Sequence, residues 1–318
     1  MRYEDAGVSI ERANALVEWL KGTVGGGIGS FATRVRVPGG SILLSTDGVG
    51  TKILLALEYY GLTGKEEVME NLGQDLVAMV SNDILADGGR TLHFLDYYAT
   101  GRLDGRVASV LLSGVIKACR KVGARLVGGE TAELPGMLPE GVFDVAGFGV
   151  GVPLKRRFPA VRPGDALVAF PSSGFHSNGY SLIRKIISSR GLDITRPYRE
   201  TGSRRPLGDL LLRPTRLYAR IGREMFLKFG AKRGAHITGG GIPENLPRAL
   251  SGREARIFWD RIRTPRFMRF ILEVGEVPEE EARRVFNMGV GFVFVVPKRR
   301  LKAVLRRFKE AYVIGEVV

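Results

Sequence analysis

The chain has 318 residues, 44% hydrophobic and 25% charged, with 48 Lys+Arg against 33 Asp+Glu and a net charge of +15. That length suits two domains and a large core without covalent staples, while one cysteine excludes an internal disulfide and a thiolate metal site. No apolar run reaches the about 18 residues of a membrane span, and the amphipathic, acidic start is unlike a secretion signal, so a soluble cytoplasmic protein is expected.

In chain order, "SIERANALVEWLKG" has Ser9 as N-cap, a 3.6-residue apolar period and Gly22 as a stop, which predicts a helix. A glycine-dense loop holding Gly25, Gly26, Gly27 and Gly29 follows. "SILLSTDG" reads as a strand ending in a turn, and "EEVMENLGQDLVAMVSNDILADGG" as a long helix closed by Gly88 and Gly89. Then come a strand ("TLHFLDYYAT"), a helix ("GRVASVLLSGVIKACRKVG"), a strand running into a loop ("RLVGGETAE") and a strand ("DVAGFGVGVP"). Cys119 falls within the apolar run of that second helix and reads as structural, and His93 as packed in its strand. Prolines, a basic cluster and a Pro-Gly turn around "PLKRRFPAVRPG" place a boundary there, giving domains 1–155 and 156–318. Beyond it, "DALVAF" and "GVGFVFVVP" read as strands, "GYSLIRKIISSRG" and "PTRLYARIGREMFLKFG" as helices, and the end as helix then strand. Helices and strands alternate without the regular rhythm of a doubly wound sheet, which predicts an α+β fold.

Charge is divided unevenly. Residues 1–155 carry 15 Lys+Arg against 18 Asp+Glu, and residues 156–318 carry 33 against 15. An excess of this kind attracts polyanions, phosphorylated small molecules or nucleic acid among them. The basic residues are not interleaved with aromatics as in single-strand binding platforms, so a solvated arginine-rich surface is favoured over the attraction of polyanions.

There is no P-loop, no nucleophile elbow, and only three scattered histidines, His93, His176 and His236. What remains is acids beside glycine loops. Asp47 follows a strand in "STDGVGTK", and Lys52, five residues on, could neutralise a phosphate. Asp75 and Asp83 stand two helical turns apart with Asn82 adjacent, and Glu130 and Glu133 end another strand. Hard carboxylate oxygens beside small-residue loops suit magnesium–triphosphate binding; a turn residue and a solvated helix face are the plain alternatives. "PSSGFHSNGYSL" places His176 among Ser173, Ser177 and Asn178 where a strand meets a helix, a junction able to bind an anion. "HITGGGIPENLPR" is a second such junction, whose three glycines suggest close backbone approach.

Together "STDGVGTK", "GQDLVAMVSNDILADGG", "FLDYYATGRLD", "LVGGETAELPGM", "SSGFHSNGYSL", "HITGGGIPENLPR" and "FNMGVGF" resemble the phosphoribosylformylglycinamidine cyclo-ligase family over essentially the whole chain. The resemblance implies a two-domain synthetase fold whose N-terminal domain binds ATP and Mg2+ and pairs strands across a homodimer into a shared barrel. The C-terminal α/β sandwich domain would complete the cleft for a phosphorylated substrate, formylglycinamidine ribonucleotide. Position by position, it puts Asp47, Gly48, Lys52, Asp75, Asn82 and Glu130 in the nucleotide motifs, with Gly26, Gly27, Gly29 and Ser30 in a glycine loop. It puts Ser173, His176, Ser177, Asn178, Thr238, Gly239, Gly240 and Gly241 along the cleft. The roles implied are magnesium ligation by Asp47, Asp75 and Asp83, phosphate contact by Lys52, and substrate orientation or proton movement by His176. Two departures stand out: Glu4 occupies a position where relatives carry lysine, and the loop before "GGGIGSF" is shorter.

Overall fold

The computed structural model describes residues 1–24 and 28–318, so Gly26 and Gly27 lie outside it. The first half contains α1 (Ile10–Val24), β1 (Thr33–Val37), β2 (Gly40–Gly48), α2 (Lys52–Thr63), α3 (Glu67–Ala86), β3 (Gly89–Thr100), α4 (Gly105–Val122), β4 (Arg125–Glu133) and β5 (Phe143–Pro153). Its sheet runs β1-β2-β5-β3-β4, antiparallel except for the parallel pair β3–β4. Alternation sorts the residues of β5: Phe143, Val145, Gly147 and Gly149 are buried, whereas Phe148 is 38% exposed. Tyr97 and Val127 are exposed too, and Leu95 and Tyr97 pair in register with Phe148 and Ala146, so one sheet face is open and partly apolar. His93 lies exposed on this sheet rather than packed, its neighbour across the strands being Val150.

Helix α3 presses against the sheet and against α4. The two helices meet backbone to backbone: a Cβ on Gly73 would sit 2.2 Å from Leu111 O, and one on Gly114 2.0 Å from Glu70 O. Asp104 caps α4 by accepting from the Arg106 and Val107 amides, and Gly123, at φ 78°, ends it. Cys119 is buried in α4, and burial pushes its thiol up to about 12, which suits packing and not nucleophilicity.

The second half contains β6 (Ala166–Pro171), α5 (Tyr180–Arg190), α6 (Leu207–Leu211), α7 (Ala219–Leu227), β7 (Arg233–His236), α8 (Gly241–Asn245), β8 (Ala255–Ile257), α9 (Arg266–Val274), α10 (Glu279–Val285), β9 (Val290–Val296), α11 (Leu301–Arg307) and β10 (Tyr312–Val317). Its sheet, β7-β9-β6-β10-β8, is antiparallel throughout. β9 is buried along its whole length and β6 as far as Phe170, which explains their unbroken apolar sequences. Helix α3 belongs to both cores, with Leu72, Leu76 and Val80 in one and Leu85 and Ala86 in the other. No helix among the described residues is long and apolar enough to cross a membrane.

Two helix expectations are corrected. α1 runs through Gly22 to Val24 and buries none of its residues. The helix expected from Pro214 begins only at Ala219, because the backbone of Thr215, Arg216 and Tyr218 is held by α3 side chains instead of by itself.

Filling the α3–α4 contact tests this packing. Gly114→Ala should destabilise the protein by ~1–3 kcal/mol, the usual range for overpacking, as read from urea unfolding, since both neighbours are backbone. A loss no larger than that of an exposed control such as Gly105→Ala would mean the helices separate freely.

Candidate active site

Helix α3 carries the polar groups that build the site. At its middle, Lys52 Nζ lies 2.7 Å from Asp75 Oδ2, and neither side chain has any exposed surface. The lysine also donates to Arg213 O at 2.8 Å. Asp75 Oδ1 accepts from Thr215 N at 2.7 Å and from its hydroxyl at 2.5 Å. Burial pushes the Asp75 carboxyl up, opposed by Lys52 and Thr215, and pushes the Lys52 ammonium down, opposed by Asp75. Gln74 Nε2 donates to Thr215 O, while Asn82 donates to Arg216 O and accepts from Tyr218 N. Segment 213–218 of the second domain is thus fastened along one face of α3.

At the residue after Asn82 the chemistry changes. Asp83 Oδ1 sits 2.9 Å from His236 Nδ1, and the Asn82 amide lies 3.3 Å from His236 Nε2. An amide N–H pointing at Nε2 leaves the ring proton on Nδ1, donated to Asp83. Asp47 reaches the same region from the end of β2. Burial, with the charge of Asp83 added, raises its carboxyl to about 7 against the opposing Gly48 N–H and Arg248. Arg248 lies 3.8 Å over the Phe31 ring and donates to Gly29 O at 3.1 Å and Ser30 O at 2.7 Å. Its charge acts on Asp83, Asp87 and Asp47 without an ion pair among the described residues. Asp87 accepts from Ala32 N at 2.6 Å, and burial pushes its carboxyl up. A cavity of about 700 Å³ adjoins this cluster, lined by Gly29, Ser30, Gly239, Glu244 and Arg248 beneath α1.

The loop after β6 forms the other wall. His176 has a left-handed backbone (φ 59°) and no exposed surface. Its Nε2 accepts from Ser173 N at 3.3 Å, its Nδ1 has no partner, and burial holds its pKa well below the usual histidine range. The Ser173 hydroxyl donates to Pro214 O, and the Ser177 hydroxyl meets that of Thr215 at 3.3 Å. Asn178 is 7% exposed and its Nδ2 has no protein partner. Opposite, Asn245 Nδ2 donates to Gly239 O and Gly241 O, and its Oδ1 lies 3.3 Å from the Thr238 hydroxyl. The glycines do bring backbone close, but to the chain itself: a Cβ on Gly241 would meet Arg283 O at 1.9 Å, and one on Gly240 would meet Glu244.

The structure therefore brings Asp47, Gly48, Asp83, Gly29 and Ser30 together, with Thr238, Gly239 and Gly240 bordering them. It does not gather Asp47, Asp75 and Asp83 into one metal group. Asp75 stands eight residues, about 12 Å of helix, from Asp83 and is saturated by Lys52 and Thr215. Among the described residues no group of three or more His, Cys, Asp or Glu is arranged to hold a metal. Lys52 is likewise sealed off from phosphate, and His176 is a buried neutral imidazole that shapes its loop. Glu130 is exposed on β4, level with Tyr97, and bonds only its neighbour's amide. Sequence reasoning missed Arg248 and Asp87, and missed His236 as the group that orients Asp83. Arg248 was visible in "NLPR" and Asp87 in "ADGG", but nothing local marks either as lying near Asp83.

Comparison with known proteins places this geometry in context. Residues 29–152 match the family described as AIR synthase related protein, N-terminal domain, and residues 162–318 its C-terminal domain. A phosphoribosylformylglycinamidine cyclo-ligase of Sorangium cellulosum (strain So ce56) is 42% identical over 339 aligned positions, covering 99% of this chain and 95% of that protein. Among solved structures, thiamine monophosphate kinase from Aquifex aeolicus superposes with a TM-score of 0.68 at 18% identity, covering 98% of this chain and 95% of that one. Hydrogenase maturation protein HypE in complex with ATP superposes with a TM-score of 0.59 at 18% identity, covering 94% and 81%. These two likenesses concern the fold alone.

Two measurements test the geometry. Lys52→Met strands the Asp75 charge in the core and should cost ~3–5 kcal/mol in urea unfolding, while adding Asp75→Asn to it should recover part of the loss; a loss below about 1 kcal/mol would show the pair to be solvated. For Asp47, a folded pKa of about 7 against an ordinary value of 3.8 means the native state holds the proton more tightly between those values. Its contribution to stability therefore declines as pH rises from about 4 to 7. In divalent-free buffer, Asp47→Asn should raise the melting temperature relative to the parent more at pH 8 than at pH 4.5, and a pH-independent difference would contradict the shift.

Proposed function

The chain belongs to the AIR synthase related family as a relative of the phosphoribosylformylglycinamidine cyclo-ligases, and from that premise we propose how its residues act. It is a ligase, and its reaction is the ATP-dependent closure of formylglycinamidine ribonucleotide to aminoimidazole ribonucleotide, with release of ADP and phosphate, in purine biosynthesis in the cytoplasm. The observation that carries the site assignment is the juxtaposition of Asp47 with Asp83 and Arg248: burial raises the Asp47 carboxyl to about 7, and the charge of Asp83 adds to it.

The pair of acids fits Mg2+, a hard cation suited to carboxylate oxygens, which would offset the burial and the like charge that raise the Asp47 carboxyl. Bound there, the ion would neutralise phosphate charge during phosphoryl transfer. HypE, a structural neighbour, was solved in complex with ATP, which supports nucleotide binding by this chain. Around it, His236 holds Asp83 in one orientation, and the Arg248 fork, already placed by the Gly29 and Ser30 carbonyls, pairs with phosphate oxygens. The buried, unpartnered Asn178 amide beside Gly239 orients the substrate.

In the reaction, the formamide oxygen attacks the γ-phosphorus, ADP leaves and the formamide nitrogen gives up its proton, which yields an iminophosphate. The amidine-side nitrogen then attacks the activated carbon, loses its proton, and phosphate departs as the ring closes. Holding both groups within one bound molecule can supply ~7–11 kcal/mol of barrier lowering, so alignment and charge neutralisation are the protein's main tasks.

We also propose a homodimer through the open face of the first sheet. Tyr97, Val127 and Phe148 are 43%, 52% and 38% exposed there, an apolar surface suited to a second copy. Glu130 stands on this sheet, placed to act at the paired interface and not beside Asp47 of its own chain.

The purified protein with Mg2+, ATP and formylglycinamidine ribonucleotide should yield ADP and aminoimidazole ribonucleotide one for one; ATP binding without this turnover would reject the substrate. Asp83→Asn should lower kcat by roughly a hundredfold or more, as loss of a transition-state charge stabiliser does, and unchanged turnover would remove Asp83 from the metal site. Light scattering should give twice 34.8 kDa for the parent and the single mass for Phe148→Glu, whereas a monomeric parent would refute the dimer.

A further inference from the structure

We propose a second anion site, remote from Asp47 and Asp83, that takes a compact polyphosphate. It is a cavity of about 320 Å³ where the start of β3, the end of α4 and helix α7 meet. Its floor includes Ser81 and Thr91, each 4% exposed. Neither hydroxyl has a hydrogen-bond partner. A buried unpaired hydroxyl is destabilising, and here two occur in one cavity.

The rim is cationic. Arg90, Arg120, Lys121, Arg220 and Arg223 line it, and no carboxylate does. None of the five forms an ion pair among the described residues. Among the described residues Lys121 donates only to Gln74 Oε1, and Glu224, the acid nearest in sequence to the α7 arginines, is engaged by Nε and Nη2 of Arg307. Arg120 and Lys121 have an ordinary reason to stand where they do, the carbonyl end of α4. Arg90, Arg220 and Arg223 come from other elements and have no such partner. Five like charges around one concavity repel each other until an anion enters. The guanidinium forks of the rim match phosphate oxygens, and the Ser81 and Thr91 hydroxyls, sealed just beneath the lining, would gain a partner when a phosphate oxygen seats against them. The absence of aromatic side chains from the lining, and its size, favour a di- or triphosphate group over a nucleic-acid strand.

The site is tested with inorganic diphosphate, titrated calorimetrically into the full-length protein in EDTA. One diphosphate should bind per chain. The Arg120→Ala/Arg223→Ala variant should weaken it by at least about tenfold. Thr91→Val keeps shape and charge; it should weaken binding about threefold or more while leaving the melting temperature unchanged or raised, because an unpaired buried hydroxyl is gone. ATP titrated into Asp47→Asn without Mg2+ distinguishes a nucleotide from free polyphosphate as the occupant: binding abolished by the double arginine change assigns the triphosphate of ATP to this cavity, and ATP that fails to bind where diphosphate does assigns it to the free anion. Equal diphosphate affinity in all variants, or a loss with the arginines but none with Thr91→Val, would reduce the rim to diffuse surface charge and overturn the proposal.

Discussion

Lys52 and Asp75 meet at 2.7 Å with no exposed surface on either side chain, and taking two such charges out of water is unfavourable unless every remaining donor and acceptor is placed. Both charges belong to the first domain, one on α2 and one on α3. The groups that complete them, Arg213 O and the amide and hydroxyl of Thr215, belong to the second. The pair is therefore satisfied only when the domains are docked. That requirement fixes segment 213–218, which in turn holds Ser173 through Pro214 O and meets Ser177 through Thr215. The loop bearing His176 and Asn178 inherits its position from this contact.

The same helix separates structural from chemical carboxylates. Asp75 is saturated, whereas Asp83, two turns on, keeps oxygen surface and one orienting partner, His236. Asp47 arrives from β2 beside it, and Arg248 arrives from the second domain with its guanidinium anchored on the Gly29 and Ser30 carbonyls. Burial, with the charge of Asp83 added, raises Asp47 to about 7 against the Gly48 N–H and Arg248, and an acid perturbed in this way is a mark of functional sites. The docking contacts and the Asp83 carboxylate thus share one rigid element.

Much of the first domain is legible in its sequence because the elements are long and periodic. α3, β3, α4 and β5 follow from apolar spacing and glycine punctuation, and "STDG" places Asp47 at the end of a strand, β2. Lys52 misleads because a lysine five residues past a loop aspartate resembles a phosphate ligand; nothing local reveals that its partner is Asp75, 23 residues away, with Thr215 behind it. Pro214–Tyr218 reads as helix because its backbone bonds are made to side chains of another element. The three glycines of "TGGG" do mark close approach, but the neighbour is Arg283 O. Arg248 is invisible for a related reason: its role depends on a tertiary neighbour, and its sequence context is that of an ordinary surface arginine.

The division between a locked Asp75 and a ligand-binding Asp47 is tested most directly by calorimetric titration of a non-hydrolysable ATP analogue, with and without Mg2+, into the parent and Asp47→Asn. Magnesium-dependent binding to the parent, lost in a variant that melts no lower at pH 8, is the predicted result. Binding of equal affinity and equal magnesium dependence in Asp47→Asn would contradict it and place the metal elsewhere.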